Sequence, residues 1–155
     1  MELFSASFAH GGPIPVRHTC DGANTSPPLS WSGVPGGAKS LALIVDDPDA
    51  PDPAAPKRIW VHWVLYNIPP AVTVLEEGDA RSPVPPGARE GLNDGDEPGY
   101  DGPCPPVGRH RYFHTLYALD TILPDLGPNA RRRDLDAAME GHILATASLM
   151  GTFQR

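Results

Sequence analysis

Two stretches of this 155-residue chain are apolar almost without interruption: Leu41–Val45 (LALIV) and Ile59–Ile68 (IWVHWVLYNI). A strand with one wet face alternates apolar and polar residues, so a short unbroken apolar run between turn residues suits a strand covered on both sides. The first run ends in Asp46-Asp47-Pro48-Asp49. The second is broken only by His62 and Asn67, stops at Pro69-Pro70, and reads as the centre of a sheet. A third segment, Arg111–Leu119 (RYFHTLYAL), places Tyr112, His114 and Leu116 on one face and Phe113, Thr115 and Tyr117 on the other. Further strands are expected at Leu3–Ala9, at Leu29–Ser32 and over His142–Phe153, the last with Gly151 as a bulge. Helical spacing occurs once, with Leu135, Ala138 and Met139 at i, i+3 and i+4, an N-cap at Asn129 or Asp134 and a C′ stop at Gly141. No internal repeat is visible, and the length suits a single domain over residues 1–155.

Twenty Pro and 16 Gly bring the chain close to the content that marks disorder, so the fold must be rich in ordered loops. The longest of these lies between Gly78 and Arg111, and a compact domain seldom carries so long an irregular stretch without using it. Its repeated prolines (PCPPVG) read as a stiff wall folded against the sheet. Twelve Lys+Arg against 19 Asp+Glu give a net charge of −7, which disfavours nucleic acid, and the one basic run, Arg131–Arg133, reads as a solvated helix face. No run reaches the roughly 18 apolar residues of a membrane span, and Met1–Pro15 does not resemble an export signal. The expected location is therefore cytoplasmic. There Cys20 and Cys104 should be free thiols, although a bridge between their two loops stays open.

The polar groups at strand ends and on apolar faces are Asp46, Asp47, Asp49, His62, His110 and Tyr112. A histidine in an apolar strand must have its ring nitrogens satisfied, and a carboxylate on a neighbouring strand can do this. Two imidazoles and a phenol directed at one point would offer the N–H and O–H donors an oxyanion requires. Arg109 and Arg111 would add positive potential. His110 and His114, four apart on a strand, are too widely separated to chelate one ion, and His114 reads as a packed or dimer-face residue. No metal or cofactor is expected.

The pieces DPDAP (Asp47–Pro51), VHWVLYNIP (Val61–Pro69), GYDGPCPP (Gly99–Pro106), HRY (His110–Tyr112) and EGHILATASLMGTF (Glu140–Phe153) resemble the phosphatidylethanolamine-binding protein family, and more closely its bacterial Raf-kinase-inhibitor-like branch. TCDGANTSPPLSW (Thr19–Trp31) and GLNDGDEPGY (Gly91–Tyr100) match the same branch. The resemblance implies a mainly β fold with a large central antiparallel sheet, a smaller second sheet and one or two short helices. It also implies an anion pocket built from Asp47, His62, Gly102, Pro105, Pro106, His110 and Tyr112. Family members take phosphate-like ligands without a metal, and the branch resembles homodimers. Three departures stand out. The link Asp52–Arg58 is long and could reshape a pocket wall; Asp101 replaces a usual Gly and should weaken anion affinity; and the chain ends at Arg155 without the C-terminal helix of eukaryotic relatives, which leaves the pocket more open.

The expected function is non-enzymatic binding of a small phosphate-like or carboxylate anion, and the resemblance adds regulation of a partner protein as a kinase-inhibitor-like factor. The alternative is a hydrolase or protease inhibitor using the same His/Asp pocket. The absence of a G-x-S-x-G elbow favours the binding module.

Overall fold

The computed structural model describes residues 1–78 and 84–155, so the part of the irregular stretch at 79–83 lies outside the described residues. Two antiparallel sheets pack on each other. The large one has the order β6-β4-β3-β7-β8, formed by Arg89–Glu90 (β6), Arg58–Ile68 (β4), Ser40–Ala50 (β3), His110–Leu119 (β7) and Ile143–Phe153 (β8). The small one, β1-β2-β5, consists of Glu2–Phe4, Leu29–Ser32 and Val74–Leu75. One helix, α1 (Arg132–Met139), and a short 3-10 turn at Val16–His18 complete the regular structure among the described residues. No described helix is long and apolar enough to cross a membrane.

The unbroken run Leu41–Val45 is explained by its position at the centre of the large sheet. Leu41, Leu43 and Val45 face the small sheet and meet Leu3, Leu29 and Trp31 in one core, while Ala42 and Ile44 face α1 and meet Leu135 and Met139 in a second. Burying Leu41, Leu43, Ile44 and Val45 at roughly 1.5–3 kcal/mol each is comparable with the whole net stability of a domain. The expectation that Ile59–Ile68 is central is corrected: it is β4, and among the described residues the two-residue β6 is its one strand partner on the far side.

Four other expectations change. The strand expected over Leu3–Ala9 stops at Phe4, where Ser5 Oγ donates to the Pro28 carbonyl and to no further strand partner. Asp46–Asp49 does not follow β3 but continues it to Ala50, with register shifts against β4 on either side of Asp46-Asp47. The N-cap of α1 is Arg131 rather than Asn129 or Asp134; Asp134 sits inside the first turn and accepts from the Arg131 backbone N–H at 2.8 Å. Gly151 is no bulge, since β7 and β8 stay in register around it. It is glycine because a Cβ there would lie 2.5 Å from Ile14 Cγ1 and 2.8 Å from Phe8 Cε2.

The two cysteines are joined by a disulfide, Cys20–Cys104, with Cα atoms 5.4 Å apart. The free-thiol expectation is thereby corrected: the 84-residue separation said nothing about distance in space, and the folded loops bring the two together.

Gly151→Ala should cost about 1–3 kcal/mol through overpacking against Ile14 and Phe8. Urea denaturation midpoints measure it, and a midpoint equal to that of the wild type would contradict the close approach.

Candidate functional site

The register shift at the end of β3 creates the site. Val45 pairs with Trp63 and Asp46 with Val61, so His62 is the extra residue of a bulge in β4. A bulge re-aims side chains locally. Here it puts Val61 in the core under α1 and Trp63 in the core between the sheets, although the two are only two positions apart. His62 itself turns toward Tyr112 of β7, with ring centroids 5.3 Å apart in an edge-on arrangement.

Around these rings lies a cavity of about 220 Å³, lined by Asp47, Ala50, Pro51, Trp60, His62, Asp101, Gly102, Cys104, Pro105, Pro106, His110 and Tyr112. The seven residues expected at the pocket are all there. Asp46 and Asp49, also candidates, are not. Asp46 is bound by Arg132 of α1, and burial raises its pKa despite that guanidinium. Asp49 is held bidentately by Arg111 at 2.9 and 3.0 Å, and that pairing lowers its pKa. Arg111 is thus committed to a carboxylate, and Arg109 lines a different groove with Pro13, Ile14 and Arg155. His114 is packed on Phe8, and burial lowers its pKa to about 4. Sequence reasoning missed Trp60, Ala50 and Pro51 as lining residues. The signal for Trp60 was present, because it lies two residues from His62 and strand side chains at i and i+2 share a face.

The polar atoms are engaged unevenly. His110 Nδ1 is 2.6 Å from Asp47 Oδ2, both side chains being buried, and His110 Nε2 faces the carbonyls of Val107 and Pro51 at 2.8 and 3.1 Å. The other Asp47 oxygen accepts the Asp49 backbone N–H at 2.7 Å. His62 Nδ1 donates to the Asp101 carbonyl at 2.6 Å, and burial lowers the pKa of this ring. The Tyr112 hydroxyl is buried beside Asp47 with no well-formed hydrogen bond among the described residues; burial first and Asp47 second push its pKa up. Convergence of donors is therefore narrower than expected, because His110 directs both nitrogens at protein acceptors and none at the cavity.

The proline wall is tied down by chemistry on its outer side. Gly102 N–H donates to Asn24 Oδ1 at 2.8 Å, Cys20 N–H to the Pro103 carbonyl, and the Tyr100 hydroxyl to the His18 carbonyl at 2.6 Å. Only glycine fits at 102, since a Cβ would lie 2.2 Å from the His18 carbonyl oxygen. The Asp101 carboxylate accepts from Asn24 Nδ2 at 3.2 Å. The link Asp52–Arg58 contributes no lining residue; it braces the site from behind, with Arg58 over the Trp60 ring at 4.5 Å. Among the described residues no group of three or more His, Cys, Asp or Glu is arranged to hold a metal ion.

A profile of the phosphatidylethanolamine-binding protein family matches residues 4–154. The chain belongs to that family. Similar proteins include a UPF0098 protein of Methanothermobacter thermautotrophicus, 56% identical over 157 residues that cover 100% of this chain and 99% of the relative. Among solved structures, a phosphatidylethanolamine-binding protein homologue from Chlamydia trachomatis superposes with a TM-score of 0.90 at 46% identity, covering 99% of this chain and 97% of its own. YbcL of E. coli, described as a member of the mammalian family, superposes with a TM-score of 0.89 at 34% identity, covering 99% and 98%. The expected family fold, mainly β with two antiparallel sheets, is what this phosphatidylethanolamine-binding protein relative adopts.

His114 gives this family member an acid-sensitive core. Its pKa falls from an ordinary 6.5 to about 4 on folding, so between those values the unfolded chain binds a proton that the folded chain does not. Stability present above pH 6.5 is then lost as pH falls toward 4, on the order of 3 kcal/mol from this residue. Chemical denaturation at pH 7, 5.5 and 4 should show the loss, and His114→Leu should flatten that part of the slope.

Proposed function

We propose that the cavity is a receptor for a small phosphorylated or carboxylated anion and that the protein binds this ligand without turning it over. One observation carries the reading: the Tyr112 hydroxyl is buried at the cavity beside Asp47 and makes no well-formed hydrogen bond among the described residues. Leaving such a group unpaired costs about 1–3 kcal/mol, a cost that a bound oxyanion removes. The lining adds support, since among the described residues it contains no serine or threonine and its only cysteine, Cys104, is held in the disulfide. The reading therefore rests on the Tyr112 donor. Regulation of a partner protein in a Raf-kinase-inhibitor-like manner, and assembly as a homodimer, enter the proposal from the family resemblance alone.

Isothermal titration with inorganic phosphate at pH 5.5 should show one saturable site. Tyr112→Phe, which removes a hydroxyl that makes no well-formed hydrogen bond among the described residues, should fold as stably as the wild type yet bind roughly 10-fold more weakly. His62→Ala should weaken binding similarly. Unchanged affinity in both variants would falsify the pocket assignment.

A cytoplasmic setting, the expectation from the sequence, is not carried into the proposal, because the Cys20–Cys104 bridge argues against it: reducing compartments keep thiols free. Thiol alkylation of protein taken directly from cells decides the point: two modified cysteines support the cytoplasm, and none points to an oxidising surrounding.

A further inference from the structure

Protons on the cavity wall distinguish one class of phosphate from another, a step that rests on the anion-receptor reading above. Carbonyl and carboxylate oxygens only accept, so every ring nitrogen facing one must bring a hydrogen to make the bond. His110 faces Asp47 with Nδ1 and two carbonyls with Nε2, and so has no N–H left for a ligand. Both Asp47 oxygens are occupied, one by His110 and one by the Asp49 N–H. His62 must keep its proton on Nδ1 to reach the Asp101 carbonyl. Four side-chain atoms on the lining have no hydrogen bond among the described residues: the Tyr112 hydroxyl and the Trp60 indole N–H, which donate, and His62 Nε2 and the second Asp101 carboxylate oxygen, which accept. The Tyr112 hydroxyl can donate. His62 Nε2 is a bare lone pair as long as the ring is neutral.

A fully ionised anion meets that lone pair with another lone pair. The contact becomes attractive only when one proton lies between them, and the proton can come from either side. A phosphate monoester, with a second pKa near 6, carries a P–OH over part of the neutral range. It can accept from Tyr112 through one oxygen and donate to His62 Nε2 through another. A phosphodiester has no such proton wherever the protein is folded, so His62 would have to take one from water.

The groups facing His62 decide how readily it does so. Asp46 and Asp47 of β3 and Asp101 of the proline wall favour the imidazolium; His114 of β7 lies close enough to oppose it, and Tyr112 of β7 is neutral. Asp46 and Asp47 are moreover already engaged by Arg132 and His110. Burial outweighs the carboxylates and keeps the free ring neutral.

We propose that the pocket selects phosphate monoesters, together with inorganic phosphate, over phosphodiesters, because only the former bring the proton that must stand between a phosphoryl oxygen and His62 Nε2. The guest of this site is then a small monoester rather than the diester headgroup of an intact phospholipid.

The experiment compares phosphoethanolamine with glycerophosphoethanolamine, a monoester and a diester that share the ethanolamine end, and adds sulfate as a tetrahedral dianion without a proton. Wild-type protein is titrated calorimetrically from pH 6 to 8 in two buffers of different ionisation enthalpy. The expected result is that the monoester binds about 10-fold or more tightly than the diester or sulfate at pH 7. Its affinity should fall about tenfold per pH unit above pH 7, with the buffer dependence of the heat approaching one proton taken up per site. In His62→Gln, which cannot change its proton count, the preference should shrink and the uptake disappear. Equal affinities with buffer-independent heat, still lost in Tyr112→Phe, overturn the monoester proposal while the anion receptor stands. No binding of any of the three overturns both.

Discussion

The burial of β3 on both faces is the constraint on which the rest of the structure depends. Once Leu41–Val45 has packed into two cores, the strand can continue only by carrying Asp46, Asp47 and Asp49 into the protein, where a carboxylate needs a partner. Each finds one on a different element or position: Asp46 on Arg132 of α1, Asp47 on His110 at the start of β7, Asp49 on Arg111 beside it. Only the Asp47–His110 pair is fully buried, and such a pair contributes little net stability while removing one partner is costly; the other two have exposed or part-exposed guanidinium groups, and the common effect is to fix where the elements sit. The helix is docked by one carboxylate, and the start of β7, with His110 at the cavity, is held by the other two.

Much of this was legible in the chain. The two-sided burial of Leu41–Val45 follows from its lack of alternation, and Leu29–Ser32 matches its strand without change. The order of the sheet was not legible, since β3 and β4 are equally apolar and differ only in what lies beyond β4, a two-residue strand too short to leave a pattern. The bulge at His62 was hidden for a related reason. Nothing in VHWV marks which residue is extra, and the mismatch exists only relative to the register of a partner strand.

The site shows the same division between identity and role. Asp47, His62, Gly102, Pro105, Pro106, His110 and Tyr112 do meet at one cavity. What residue type cannot convey is the direction of a ring nitrogen. His110 was expected to donate to a guest, yet its Nε2 lies between the carbonyls of Val107 and Pro51, backbone atoms that no side-chain pattern announces. Its part is to hold Asp47 and the loop after β3 in place. The disulfide was likewise outside the reach of spacing arguments, because the loops carrying Cys20 and Cys104 are drawn together by the Tyr100, Gly102 and Cys20 hydrogen bonds around them.

Those fastenings decide how the pocket meets a ligand. A loop of prolines carries little backbone entropy of its own to lose, and this one is further pinned to β4 by paired bonds between His62 and Asp101 and to the loop before β2 by a covalent bridge. The wall therefore needs little ordering when a guest arrives, which reduces the entropic cost of binding. Rigidity also sharpens chemical selection. A mobile wall could rotate a carbonyl or a backbone N–H to suit whichever oxygen or hydroxyl entered, whereas a fixed one presents the same donor and the same lone pair to every guest. In a cavity whose unengaged groups include one hydroxyl and one imidazole nitrogen, the protonation state of the guest then matters as much as its charge.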